Sequence, residues 1–230
     1  AEPILPPLTL PSVRYKPEDL RLVSQLSHTE IALFVRPGLP FNTVQEFLAY
    51  IRDASNKPLT YATPGSGTLY HLMGEHFKML LGAQLVHVPY KGLAPAVNDL
   101  LGGQVDVAFL PLAGNTAKLR ESGKLRAMAT SSEKPHGGLP RLGDLPGLKD
   151  FAYSVWTGVF LPMQTPQDVV SVVHRAVDAA LQAPEFAAYT REVGGQALPR
   201  AMTLNQARDM YTSEARRLQT IFQTVKLKVD

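Results

Sequence analysis

Apolar residues follow two rhythms along this chain. Ile31–Val35, Leu59–Thr63, Leu85–Val88, Val105–Leu110 and Leu125–Ala129 are short apolar runs of buried-strand length. Between most of them lie segments of helical length whose apolar positions recur at helical spacing. This alternation predicts βαβ units, a parallel sheet, right-handed crossovers and helices on both faces. The first run is stopped by Arg36-Pro37-Gly38, a turn signal. Thr43 and Glu46 then read as a capping box, with Val44, Phe47, Leu48 and Ile51 forming the apolar stripe of a helix.

The rhythm breaks twice. Residues 1–17 carry Pro3, Pro6, Pro7, Pro11 and Pro17 and read as extended chain outside any central strand. Residues 131–150 contain Pro135, Gly137, Gly138, Pro140, Gly143, Pro146 and Gly147, which interrupt every period and predict a long loop. Beyond it, Tyr153–Leu161 reads as a strand. Thr165 as N-cap and Pro166 at the first helical position open a helix to about Gln182. Pro184 opens a short helix ended by Gly194-Gly195, and a capping box of Thr203 and Gln206 opens one that runs to about Val225. The layout predicts a first lobe from 1–38 and 151–230, a second, βα-repeat lobe at 39–130 and an interlobe loop at 131–150. A cleft between the lobes is the expected site.

Composition narrows the function. Hydrophobic residues make up 45% and charged residues 19%, the balance of a globular chain rather than a disordered or fibrous one. The net charge of +3 is gathered after Pro199, where Arg200, Arg208, Arg216, Arg217, Lys226 and Lys228 outnumber Asp209, Glu214 and Asp230. That is a mildly basic tail and not a nucleic-acid footprint. With no cysteine, disulfides, thiolate metal sites and Cys nucleophiles are excluded. No apolar run approaches the roughly 20 residues of a membrane span, and Ala1-Glu2-Pro3 does not read as a leader, so an exported chain is expected to have lost one already.

The chemistry concentrates where strands are expected to end. In Tyr61-Ala62-Thr63-Pro64-Gly65-Ser66-Gly67-Thr68-Leu69-Tyr70-His71, two glycines form a turn and a helix begins near Thr68. Free N–H groups, the helix dipole and the Ser66 and Thr68 hydroxyls suit a carboxylate or phosphate. A plain loop capped by Gly67 or Thr68 fits the same residues. The segment lacks the Gly-Lys-Ser/Thr of a P-loop, the three-glycine dinucleotide spacing and the flanking residues of a nucleophile elbow. Tyr90, Lys91 and Gly92 follow the next expected strand at the same end of the sheet. Tyr90 offers an aromatic wall and a hydroxyl, Gly92 a close backbone approach, and Lys91 either an anion-attracting charge or a solvated one. Trp156 and Thr157 either line the cleft floor or pack in the core. Asp106, in an otherwise apolar run, reads as a structural acceptor of backbone N–H bonds. His71, Glu75 and His76 are one residue too widely spaced for the inverted zinc motif. No metal, no cofactor and no catalytic set is predicted, and an enzyme is not expected.

Taken together, Tyr61–Thr68 with His71, Val86–Gly92, Asp99–Asp106, Gly123–Ala127 and Trp156-Thr157-Gly158 before Leu161-Pro162 resemble the Bug-type substrate-binding proteins of the tripartite tricarboxylate transporters. The resemblance covers nearly the whole chain. It implies an α/β, periplasmic-binding-protein-like (type II) two-lobed fold, a Venus flytrap that captures small carboxylates in the periplasm for a membrane permease. It assigns ligand binding to Gly65, Ser66, Gly67, Thr68, Tyr90, Lys91, Gly92, Trp156 and Thr157. The family opens with a strand, a Pro- and Gly-rich loop and further βα units that residues 1–17 do not match, so the first lobe is expected to be incomplete. An open sheet edge beside Ile31–Val35 would then invite a homodimer or a swapped assembly. The alternative reading is a shortened, non-transporting scaffold that oligomerises through that edge.

Overall fold

Two compact units divide the chain, one formed by residues 1–29 and 155–224, the other by 30–154 and 225–230. The computed structural model describes residues 3–192, 196–198, 200–227 and 229. In chain order the elements are α1 (Pro6–Thr9), β1 (Leu20–Val35), α2 (Val44–Arg52), β2 (Leu59–Thr63), α3 (Leu69–Leu81), β3 (Leu85–Pro89), α4 (Leu93–Leu101) and β4 (Val107–Pro111). There follow α5 (Gly114–Glu121), β5 (Arg126–Thr130), β6 (Ser154–Pro162), α6 (Gln167–Gln182), α7 (Pro184–Glu192), β7 (Gln196–Ala197) and α8 (Leu204–Val225).

The larger unit is built on strands in the order β3-β2-β4-β1-β5. β2 runs parallel to β3, with Leu59 opposite Leu85 and Thr63 opposite Pro89, and parallel to β4, with Tyr61 opposite Val107. β1 departs from the all-parallel expectation. It lies antiparallel to β4, pairing Ile31 with Pro111 and Val35 with Val107, and antiparallel to β5, with a register shift between Leu33 and Phe34. A strand buried on both faces reads as a continuous apolar run whichever way it points, so direction was not in the pattern. The same pairing corrects the expected open edge: Ile31–Val35 has a hydrogen-bonded neighbour on each side and is at most 1% exposed.

Alternation along the strands sorts the core onto two faces. Phe34, Ala62, Ala108 and Leu110 pack with Ala96, Val97 and Leu100 of α4. On the other face Phe109 meets Phe77 of α3 edge-on, and Phe77 stacks on Phe47 of α2. α3 comes so close to β2 that a Cβ at Gly74 would stand 2.3 Å from Tyr61 Cε2. Residues 131–150 belong to this unit and do not link the two. Thr130 N–H donates to Pro140 O, and Leu142 and Leu148 are fully buried. The unit therefore begins at Glu30 and ends its first pass at Ser154, where 39 and 130 were expected.

In the smaller unit the first half of β1 pairs with β6 and with β7, Ser27 opposite Ala197. The capping box of α8 is reciprocal: Gln206 N–H donates to Thr203 Oγ1 at 3.2 Å and Thr203 N–H to Gln206 Oε1 at 2.9 Å. α6 differs from expectation. Pro166 itself is the N-cap, its ψ of 144° still extended, so helical geometry starts at Gln167 without a side-chain cap. The Gly194-Gly195 stop lies outside the described residues.

Candidate functional site

The segment between β2 and α3 starts from a sheet position and ends in a helix N-terminus. Thr68 caps α3, its Oγ1 accepting from His71 N–H at 3.4 Å while its hydroxyl donates to Gly65 O at 2.8 Å. Gly67 has φ +76°, the left-handed region that a side chain disfavours. Its N–H donates to His71 Nδ1 at 3.1 Å. Gly65 N–H reaches Thr63 Oγ1 at 3.4 Å. The N–H groups of Ser66, Thr68, Leu69 and Tyr70 have no acceptor among the described residues, and neither has the Ser66 hydroxyl. Four main-chain donors at a helix N-terminus, with the dipole behind them, form an anion-binding arrangement.

The segment after β3 is stitched to this loop by backbone. Tyr90 N–H donates to Thr63 O and Gly92 N–H to Pro64 O, both at 2.9 Å. Gly65, Ser66, Gly67 and Thr68 are thus brought beside Tyr90 and Gly92 at the C-terminal ends of parallel β2 and β3, where α3 and α4 both begin. The Tyr90 hydroxyl is occupied, donating to Asp99 Oδ2 at 2.6 Å, and burial together with that carboxylate pushes its pKa up to about 12. Its ring packs against the α4 side of the core. Lys91 is exposed.

Beneath the loop lies a histidine pair that spacing did not disclose. The His71 and His87 rings stack 3.9 Å apart at 11°, and His87 also stacks on Tyr61. His87 Nε2 is 2.7 Å from Thr63 Oγ1. Burial, reinforced by His71, pushes the His87 pKa down to about 4. Burial alone would raise the Glu75 carboxyl, but hydrogen bonds from Lys78 and Tyr61 outweigh it and hold it below its ordinary value. Ser66, His71, Glu75, His87 and Pro89 line a cavity of about 430 Å³ with Val225, Lys226 and Leu227. The sequence does carry a signal for His71, a histidine at the third helical position after a two-glycine turn and part of the run that bears the family resemblance, although no spacing rule ties it to Gly67 or His87. His76 turns away to Tyr153, 2.7 Å from Nδ1 to the hydroxyl. No group of three or more acidic or histidine ligands that could hold a metal ion occurs among the described residues.

Trp156 and Thr157 sit in the other unit. Trp156 is 8% exposed and packs on Phe160, while the Thr157 hydroxyl is 2.8 Å from Ser27 Oγ. A larger groove of about 570 Å³, lined by Arg21, Tyr211, Arg208 and Arg216 among others, also lies in that unit and holds none of the predicted residues. Arg21 is already bound to Gln167 Oε1 and Met163 O.

An α/β unit with parallel strands feeding helix N-termini, linked to a second unit by chain crossings in β1, at the start of β6 and at the end of α8, is the plan of periplasmic binding proteins. Residues 3–227 match the model of the tripartite tricarboxylate transporter family receptor, and the chain belongs to that family. It is 31% identical over 212 residues to BugT of Bordetella pertussis, covering 90% of this chain and 64% of that protein. Among solved structures it resembles BugD, a periplasmic binding protein, with a TM-score of 0.79 and 27% identity over 94% of this chain and 73% of that one. An R. palustris protein solved with adipate gives a TM-score of 0.78 and 26% identity over 94% of this chain and 72% of the other. The chain spans between about half and two thirds of the length of most of the curated relatives it matches. No helix among the described residues is long and apolar enough to cross a membrane.

Proposed function

We propose that this chain is a periplasmic solute receptor that captures a small carboxylate and delivers it to the membrane permease of a tripartite tricarboxylate transporter. The observation that carries this reading is the set of acceptor-less N–H groups at Ser66, Thr68, Leu69 and Tyr70, in a chain of the receptor family with a neighbour solved around adipate. Gly65 and Gly67 let the backbone approach an anion, and the Ser66 hydroxyl adds a donor. Thr68 acts on loop shape, because its own proton is committed to Gly65 O. Tyr90 and Gly92 support the loop through their backbones, with Lys91 drawing the anion in from solvent. Trp156 and Thr157, which the family resemblance assigns to the ligand, belong to the other unit. The reading involves binding without chemical change, and needs no cofactor.

Titration calorimetry with adipate, malate and citrate tests it. Each charge-assisted hydrogen bond is worth about 1.5–3 kcal/mol, so Ser66→Ala with Thr68→Ala is expected to weaken the best ligand by about tenfold or more. Amide NMR shifts on titration are expected at Ser66, Thr68, Leu69 and Tyr70. Absence of binding by all three acids, or binding that leaves those amides unmoved, overturns the reading.

A further inference from the structure

The N–H groups around the loop are not all used alike. Ser66 and Thr68 leave theirs unspent, whereas Gly67, between them, turns its N–H onto a side chain, the Nδ1 of His71. An imidazole that accepts at Nδ1 is neutral and carries its proton on Nε2. His71 is 5% exposed, so the bond is sheltered from competition by water. A second proton on this ring would set one N–H against another across 3.1 Å. The bond would become a repulsion, and the glycine holding it would be free to turn.

We propose that His71 is the positioning residue of the anion loop: unprotonated, it latches the Gly67 N–H and fixes the loop with its other donors free, and protonation releases it. The functional meaning rests on the carboxylate reading above, and what is added is a regulation of that same site by acid.

The surroundings decide how the ring responds. Glu75, one turn along α3, favours a charged His71, but that carboxylate is already paired with Lys78 at 2.8 Å and with the Tyr61 hydroxyl. His87, from β3, lies flat against the ring, and two imidazolium rings 3.9 Å apart repel, so only one of the pair takes up a proton readily. Burial, reinforced by His71, holds His87 neutral down to about pH 4, so a proton taken up by the pair above that pH resides on His71. Lys226 lines the same cavity and opposes a further positive charge. The latch is therefore closed at neutral pH and opens as pH falls through the titration of His71. That is the direction expected of any group whose folded environment selects its neutral base.

NMR on the ¹⁵N-labelled chain, titrated from about pH 8 to pH 5, reads the latch without any ligand. The expected result is a Gly67 amide signal that moves with the same midpoint as the His71 ring nitrogens, with faster exchange on the acid side. His71→Asn places a non-titrating acceptor near the Nδ1 position and should keep Gly67 protected at pH 5. His71→Phe keeps the ring stack without an acceptor and should leave Gly67 unprotected at every pH. With adipate as probe, affinity of the unmodified protein should fall, at most about tenfold per pH unit, below the His71 midpoint. The Asn variant should show no such slope. A Gly67 signal indifferent to His71 titration, or a neutral ring carrying its proton on Nδ1, overturns the latch. If adipate fails to bind at pH 8, the carboxylate reading loses its support, and the Gly67 signal still decides the latch. Should His71→Asn fail to fold, the titration of the unmodified protein and the Phe variant decide it.

Discussion

Asp106 shows how a carboxylate comes to sit in an apolar strand region. It accepts from Thr60 N–H at 2.8 Å and Thr60 Oγ1 at 2.9 Å, and pairs with Arg36 Nε at 2.9 Å. Burial alone would raise its pKa, yet the Thr60 backbone and Arg36 together hold it below the ordinary value. Its stabilising contribution is then present above the unfolded value of about 3.9 and lost as pH falls further. Asp106→Ala is expected to destabilise the larger unit by about 2–4 kcal/mol, read by urea unfolding, because Arg36 and Thr60 lose their partner inside the fold. His87 has its own window. With a folded pKa near 4 against about 6.5 in the unfolded chain, it makes thermal stability decline as pH drops from about 6.5 toward 4. His87→Phe should flatten that decline in a pH series of melting temperatures. Asp106 was legible in the sequence because a lone acid among Val105, Val107 and Ala108 must be satisfied. The His71–Gly67 bond was not, because a contact between a ring nitrogen and a backbone N–H leaves no periodicity.

At the scale of elements, the signals that read well were those made by neighbours in sequence. The Thr203–Gln206 box formed as expected, and replacing either residue by Ala should cost about 1 kcal/mol of stability in thermal unfolding. The Thr43–Glu46 box came out altered. Thr43 Oγ1 accepts from Glu46 N–H, but the Glu46 carboxylate reaches Asn42 N–H at 2.7 Å, one residue further back. β2 was legible residue for residue, since Leu59–Thr63 is bounded by Pro58 and Pro64. Most of β1 was hidden, since only Ile31–Val35 reads as strand, and Ser24 to Glu30 is polar apart from Leu26, mostly half-buried and without alternation. Helix-to-strand spacing was also invisible. Gly74→Ala is expected to destabilise by about 1–3 kcal/mol, since a methyl there collides with the Tyr61 ring, and Tyr61→Leu in the same chain should recover part of the loss.

For the whole molecule, the sequence pattern set a lobe boundary at the loop-rich break near residue 131, whereas the chain passes between its two units at Thr29–Glu30, at Ser154–Val155 and again at Thr224–Val225. A Gly- and Pro-rich stretch advertises surface chain without saying which body it clings to, and Leu142, Leu148 and Phe151 anchor it in the larger unit. Native-state hydrogen exchange should therefore find its slowest amides at residues 31–35, paired on both sides, with faster exchange along β6, whose only strand partner among the described residues is β1. The four vacant amides at Ser66 and around the start of α3 belong to the polymer rather than to any side chain, so no replacement other than proline deletes them. Alanine leaves these N–H donors in place, whereas proline, or an ester in place of the amide, removes them one at a time. On the carboxylate reading proposed above, such a grip would let one anionic guest be exchanged for another by rewriting the walls around it.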